Sequence, residues 1–161
     1  RVMVPAKEYE SGHILVSKTA KDLSEAGVKV NMGAHGQIQG LGAHWETWMI
    51  AAGGIGNLEA LKTATINGAN YIGAGQDIGS LEVGKLADLL VLDKNPLEDI
   101  ENTQYIKFVM QNGRLYDPET MNEVGNSPKE RAPFYWEVNG YNQAFEWHEE
   151  SESFIHGNCR H

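Results

Sequence analysis

Cysteine is nearly absent from this chain of 161 residues, whose one thiol is Cys159. A single thiol excludes a disulfide framework within the chain and leaves the redox compartment open. Long apolar runs are also missing, since no stretch approaches the roughly 20 residues that a membrane-spanning helix needs. We therefore expect no membrane span, and the sequence leaves the cellular location undetermined.

Basic residues are scarce as well. Lysine and arginine together number 13, against 22 aspartates and glutamates, which gives a formal net charge of −9. A surface of this sign argues against nucleic acid as a partner. The glycine-rich stretch 33–44 lacks the Gly-Lys-Ser/Thr of a P-loop, so it does not predict a phosphate cradle.

The first part of the chain predicts a helix and then a short strand. Residues 13–26 form an amphipathic helix that ends at Gly27, which suits a helix C-terminus. Its predicted apolar face consists of Val16, Ala20 and Leu23. The apolar run Val28–Met32 follows at once as a strand. Helix, glycine and strand in this order are typical of a parallel α/β fold.

Two more helices are predicted after the glycine-rich stretch. The first ends at Gly53-Gly54, and its spacing predicts a core-facing apolar stripe of Trp45, Trp48, Met49 and Ala52. The second runs from Asn57 to Gly73. Asn57 is the predicted N-cap, because its side chain can accept a hydrogen bond from the first turn.

The next segment predicts strands. Leu86–Leu92 is an apolar run broken only by Asp88, which predicts a buried strand. Tyr105–Gln111 alternates apolar and polar residues, which predicts a half-buried strand. Asn112-Gly113 predicts a type I′ hairpin with Arg114–Tyr116 as the returning strand.

Two motifs resemble metal-dependent amidohydrolases. The run Gly79–Leu97, GSLEVGKLADLLVLDKNPL, is similar to the segment that follows the barrel in the imidazolonepropionase- and prolidase-like branch of that family. The preceding helix contains Glu59-Ala60-Leu61 and then ATINGA from Ala64 to Ala69, which match the E-A-L and A-T-x-N-x-A patterns of the same proteins. The resemblance covers roughly residues 28–117.

The resemblance implies an α/β fold: the C-terminal part of a (β/α)8 TIM barrel, followed by β-strands of a small composite β-sandwich. Residues 1–76 would hold the last strand-helix units of the barrel, 77–124 the sandwich strands, and 125–161 an aromatic, acidic C-terminal extension. A TIM barrel needs roughly 250 residues, more than the chain has. The expected partner is therefore the N-terminal part of the same protein or a second copy of the chain.

The resemblance also implies a site residue, His35. In the family the eighth barrel strand ends in Gly-Ser/Thr-Asp, and that aspartate binds the metal and takes a proton from the attacking water. Gly33-Ala34-His35 stands in its place, so His35 is the implied metal ligand and catalytic residue. The alternative is a loop histidine that hydrogen-bonds the backbone of the glycine-rich loop. A neutral imidazole can ligate zinc or iron, but the ligating nitrogen then has no lone pair left to act as a base.

Another carboxylate would therefore have to accept the proton, and Glu46 is the nearest one. The alternative is a first-turn acid matched to the helix dipole. Gln37 and His44 are predicted on the substrate-side loop. Because residues i and i+2 of a helix diverge, His44 and Glu46 are not expected on one face.

The C-terminus offers a second possible metal-binding group. His156, Cys159 and His161 form an H-x2-C-x-H grouping, whose nitrogen and sulfur atoms suit zinc. The alternative interpretation is an unstructured chain end.

The activity implied by the resemblance is hydrolysis of a C–N bond, amide or cyclic amide, in a small-molecule substrate. A divalent metal would activate the water, with zinc favoured over iron or manganese. The other ligands of the family would lie upstream, so the chain alone is expected to be incomplete and inactive. The alternative is a non-catalytic structural or binding module derived from an amidohydrolase barrel.

Overall fold

A computed structural model of the protein describes residues 12–34 and 38–138. A first compact unit ends at Pro128 and a second begins at Lys129. Four α-helices come first in the described chain: α1 (Gly12–Glu25), α2 (Leu41–Ile50), α3 (Asn57–Thr63) and α4 (Ile66–Tyr71). An antiparallel sheet follows, formed by β1 (Leu89–Leu92), β2 (Ile106–Gln111) and β3 (Arg114–Tyr116). None of the helices described is long and apolar enough to cross a membrane.

Helix α1 begins and ends one residue before the predicted bounds, and it packs through a different face. Ser17 is buried with 5% of its surface exposed, whereas Val16, on the predicted apolar face, is 70% exposed. The neighbour of Ser17 is Gly53, whose backbone approaches so closely that a Cβ at this glycine would overlap the Ser17 carbonyl. Position 53 therefore requires glycine, because any side chain there would overlap the backbone of α1. The prediction that Val16 and Leu23 are buried is wrong for this chain.

The segment Val28–Met32 is not a hydrogen-bonded strand, which corrects the sequence prediction. A strand is defined by pairing with a neighbour, and no strand of the described residues lies beside this segment. Helices hold it instead. The Met32 N–H donates to the Thr63 carbonyl at 3.0 Å, and the Asn67 side chain donates to the Val30 carbonyl at 3.0 Å.

Helix α2 begins four residues before the predicted stripe and continues into a wider, π-type turn over Ala51–Ile55. Gly54 ends the regular geometry there, with a φ of 87° that favours glycine. Ile50 is buried, but Trp45 is 42% exposed. The predicted core stripe is therefore wrong at Trp45, Met49 and Ala52, which are all exposed, because the first unit offers no layer that covers this face in the described ranges.

The predicted helix from Asn57 to Gly73 is two helices, α3 and α4, broken around Thr65. The Thr65 hydroxyl donates to the Leu61 carbonyl at 2.8 Å, a side-chain bond that competes with the helical pattern. Gly56, not Asn57, is the N-cap, and the Asn57 side chain donates to the Leu97 carbonyl at 3.0 Å. The N-cap prediction is therefore wrong by one residue.

The sheet has the order β1-β2-β3, and its hairpin is confirmed. Asn112 and Gly113 both have positive φ, 49° and 77°, as a type I′ turn requires. Asp88 supports the turn by accepting the Asn112 N–H at 2.6 Å. Strand β1 is less buried than predicted, since Leu90 is 51% exposed. In the described part of the chain no second sheet packs against β1.

In the second unit, the described residues 129–138 are organised by one ion pair. The Arg131 guanidinium donates to both carboxylate oxygens of Glu137 at 2.6 Å and lies 4.3 Å from the Phe134 ring centre. The Phe134 N–H donates to the same carboxylate at 2.8 Å. The bonds from Arg131, followed by this backbone bond, lower the pKa of Glu137 to about 2. The predicted zinc grouping His156, Cys159 and His161 lies outside the described residues.

Candidate functional site

The candidate site surrounds Gly33 and Ala34, the two residues that lead to position 35. Of the predicted site residues, the structure describes His44 and Glu46, whereas His35 and Gln37 lie outside the described ranges. The roles assigned to these four residues stay predictions. The structure shows which contacts hold the backbone before position 35, and which residues His44 and Glu46 contact.

Glu46 contacts the glycine segment directly. Its Oε1 atom accepts the N–H of Gly33 at 2.8 Å, across 13 residues of sequence. The next residue of α2, Thr47, is buried, and its hydroxyl donates to the Ala43 carbonyl at 2.8 Å while lying 3.6 Å from the Met32 sulfur. Two consecutive residues of α2 therefore contact two consecutive residues of the segment.

His44 has a different set of neighbours. Its Nδ1 atom lies 3.0 Å from the hydroxyl oxygen of Thr103, in the 3₁₀ turn Ile100–Gln104. The indole N–H of Trp48 donates to the same oxygen at 2.8 Å. His44 and Glu46 thus leave α2 in different directions, as their i, i+2 spacing predicts. His44 joins α2 to the segment between β1 and β2.

We expect Thr103→Val to lower the free energy of unfolding by about 2 kcal/mol. Valine keeps the shape of threonine but removes an oxygen that serves both His44 and Trp48, and an unpaired polar group in a partly buried place costs about 1–3 kcal/mol. Thr103 itself is 8% exposed. Denaturant unfolding followed by Trp fluorescence measures the change.

Thr103→Ser is the matched control, because it keeps the hydroxyl and removes one methyl group. We expect a smaller loss from serine than from valine. Equal losses for the two variants would mean that the methyl group, not the two hydrogen bonds, provides the stability.

An open cavity of about 520 Å³ lies beside Glu46 and Gly33, between α1 and α2. Its wall is mostly apolar, and among the described lining residues the Glu46 carboxylate is the one acidic group. The lining residues are His13, Val16, Ser17, Gly33, Ala34, Ile38, Gly42, Trp45, Glu46, Met49 and Ile50. Gly33 and Glu46, joined by their hydrogen bond, therefore form part of the wall of this largely apolar cavity.

A metal ion does not fit the described residues on their own. Within ranges 12–34 and 38–138, no three histidine, cysteine, aspartate or glutamate side chains lie close enough together to hold one. Oε1 of Glu46 already accepts the Gly33 N–H, and Nδ1 of His44 lies within hydrogen-bonding distance of Thr103. A metal site would need ligands from elsewhere in the protein.

Two of these contacts were not predicted from the sequence. Thr103 lies in a short polar stretch with no periodic pattern, and nothing in that stretch indicates that it is buried. The sequence also cannot indicate that Glu46 accepts the N–H of Gly33, because every residue except proline has a backbone N–H. Glu46 itself was a predicted site residue, because it is the carboxylate nearest to His35 in the sequence.

Comparison with known proteins identifies the relatives of the chain. The model of the amidohydrolase family matches residues 10–116. An imidazolonepropionase from Syntrophobacter fumaroxidans is 59% identical over 44 residues, which are 27% of this chain and 10% of that protein. An ochratoxinase from Aspergillus niger is 32% identical over 96 residues, or 57% of this chain and 20% of that protein.

Solved structures give the same result. A Xaa-Pro dipeptidase with methionine bound in its active site is similar with a TM-score of 0.57 and 32% identity, over 63% of this chain and 25% of that one. The chain therefore spans a quarter or less of the relatives described here. These relatives imply a fold of the TIM-barrel type, which confirms that part of the predicted fold class. Because the family model matches residues 10–116, well over half of the chain, the chain belongs to the amidohydrolase family.

Proposed function

We propose that the protein containing this chain hydrolyses a C–N bond in a small amide or cyclic amide. The family match over residues 10–116 is the observation that carries this proposal, because amidohydrolases are hydrolases that act on C–N bonds. The relatives named imidazolonepropionase and Xaa-Pro dipeptidase agree with it. Since fold alone does not fix function, the substrate must be established by assay.

The protein would need a divalent metal, as the family generally does, and we propose zinc first, with iron or manganese as alternatives. When bound, such a metal polarises the substrate carbonyl and lowers the pKa of its water. We place His35 among its ligands because it follows Gly33-Ala34 at the family's aspartate position. The remaining ligands would come from the N-terminal part of the protein.

The role of the described residues would be structural support for this site. Helix α2 holds the backbone just before position 35 through Glu46, and Thr103 joins α2 to the sheet region through His44 and Trp48. Gln37 keeps its proposed place on the substrate side of the loop, whereas His44 lies in helix α2 and not in the loop. Accurate placement of reacting groups contributes strongly to catalysis, because small misplacements are costly in rate.

The N-terminal part of the same protein is the proposed partner of the exposed apolar surfaces. Val16 of α1 and Leu90 of β1 are both more than half exposed in this chain. Exposed apolar patches of this kind mark association surfaces. A barrel completed by upstream strands would cover α1, and upstream strands added to β1-β2-β3 would make the composite β-sandwich.

The proposal is tested on the whole protein by metal removal and return. After dialysis against a chelator, we expect hydrolysis of dipeptides, acyl-amino acids or cyclic amides to fall to background. Added zinc, manganese or iron(II) should restore it. His35→Ala should prevent the restoration, whereas His148→Ala, which changes a histidine without partners at ligand spacing, should not. A metal-loaded protein with no turnover of any of these substrates would favour a binding or structural module.

A further inference from the structure

We propose that Glu46 is a positioning residue, which fixes the backbone immediately before position 35 by accepting the Gly33 N–H. This inference rests on the proposed function, because position 35 matters only if the site is built there. It also assigns Glu46 a role different from that of proton acceptor, which the sequence alone favoured.

The hydrogen bond is well suited to hold the segment. The N–H of Gly33 lies 2.8 Å from Oε1 of Glu46, a normal length for a bond to a carboxylate. The preceding N–H, of Met32, donates to the Thr63 carbonyl of α3 at 3.0 Å. Two consecutive backbone donors are thus bound by two different helices. No strand of the described chain pairs with this segment, so these two hydrogen bonds are important in fixing its position.

The location of the carboxylate supports the same role. Glu46 lines the cavity between α1 and α2, whose other walls include Val16, Trp45 and Met49. A general base must lie within hydrogen-bonding reach of the proton that it takes. Oε1 accepts a backbone donor, and the described side chains that line the cavity beside it are largely apolar. The contact therefore explains a carboxylate at this place without assigning it a proton transfer.

The two roles predict opposite results for Glu46→Gln. A carboxamide oxygen can accept the Gly33 N–H as a carboxylate does, because this task needs an acceptor and not a charge. A proton acceptor in the reaction needs the carboxylate itself, since an amide does not take up a proton at neutral pH. Glu46→Ala removes the acceptor and would disable either role.

The first measurement does not depend on activity. Amide hydrogen exchange at Gly33, followed by NMR, is compared in the wild type, Glu46→Gln, Glu46→Ala and the control Glu25→Ala. Glu25 is an exposed carboxylate at the end of α1 that pairs with Lys21. We expect the exchange rate to rise at least about tenfold in Glu46→Ala, since a bond to a charged group contributes roughly that factor or more. Exchange in Glu46→Gln should stay near wild type, and Glu25→Ala should change nothing at Gly33.

The second measurement uses the whole protein and separates kcat from KM. We expect Glu46→Ala to lower kcat about 10²-fold with little change in KM, as expected for a misplaced reacting group. Glu46→Gln should restore most of kcat. Unchanged Gly33 exchange in Glu46→Ala would overturn the proposal. So would a Glu46→Gln protein that keeps the exchange protection but loses kcat as fully as alanine. If the wild type shows no turnover, the proposed function fails, and the exchange result alone decides the role of Glu46.

Discussion

Gly53→Ala is expected to lower the free energy of unfolding by about 3 kcal/mol. A Cβ at this position would overlap the Ser17 carbonyl and lie 2.7 Å from the Lys18 nitrogen. Those atoms belong to the backbone of α1, so no side-chain rotation can make room. Overpacking of this kind costs typically 1–3 kcal/mol, and the upper end applies where a helix must move. Chemical denaturation monitored by circular dichroism measures the loss.

Gly68→Ala is the matched control for that experiment. Gly68 lies inside α4, where a Cβ would meet nothing within 4 Å. Alanine favours a helix interior by up to about 1 kcal/mol over glycine, so this variant should be as stable as the wild type or more so. If Gly53→Ala matched Gly68→Ala in stability, the close approach of α1 to the Ala51–Ile55 turn would not exist in solution.

The second large effect concerns activity: the 161-residue chain alone is expected to give no metal-dependent turnover of amides. A catalytic metal needs several protein ligands in fixed geometry and an open position for water. His35 is the one residue that the family resemblance assigns as a ligand, and a single imidazole holds a divalent metal weakly. In the described chain, Glu46 is engaged with Gly33 and His44 lies beside Thr103.

The measurement is an assay of the purified chain with added zinc, manganese or iron(II), on dipeptides, acyl-amino acids and cyclic amides. The whole protein, assayed in parallel, is the positive control. We expect the isolated chain to show no more hydrolysis than the assay without protein, so the whole protein should exceed it by as much as the assay can detect. Turnover by the isolated chain that is lost in His35→Ala would contradict this expectation and show that these residues carry a complete site.

Local patterns predicted local structure well. Asn112-Gly113 specified its hairpin because a type I′ turn needs two residues with positive φ, and this pair tolerates them. The bounds of α1 followed from its apolar period and from Gly27, which has a φ of 88°. The family fold was predicted from the motif around Gly84-Lys85. For the hairpin and for α1, the determining residues lie within a few positions of the structure that they determine, whereas the family fold was predicted from a resemblance of motifs.

The errors share a different cause. Val16 and Leu90 were predicted to be buried, yet the surfaces that would cover them are not formed by the described residues. Val28–Met32 was predicted as a strand, and a strand requires a neighbour to pair with. Hydrophobic periodicity reports what a segment can bury, not whether the covering element is present in the same chain.

The site contacts were beyond sequence reasoning for a further reason. Glu46 with Gly33, and Thr103 with His44, are pairs separated by 13 and 59 residues. No spacing rule reaches that far without an alignment or a structure. What sequence did predict was the divergence of His44 from Glu46, because that depends only on helix geometry.

The shared oxygen of Thr103 has a consequence for the two ring nitrogens of His44. An indole nitrogen can only donate, so Thr103 accepts from Trp48. The hydroxyl still has a second lone pair and its own hydrogen, so Nδ1 of His44, 3.0 Å away, can either donate to it or accept from it. A neutral imidazole that accepts at Nδ1 has its hydrogen on Nε2. His44 in this tautomer presents a donor on its other side, suited to a carbonyl or carboxylate oxygen. In the other tautomer Nδ1 donates to Thr103, and Nε2 then carries the lone pair that a metal would bind.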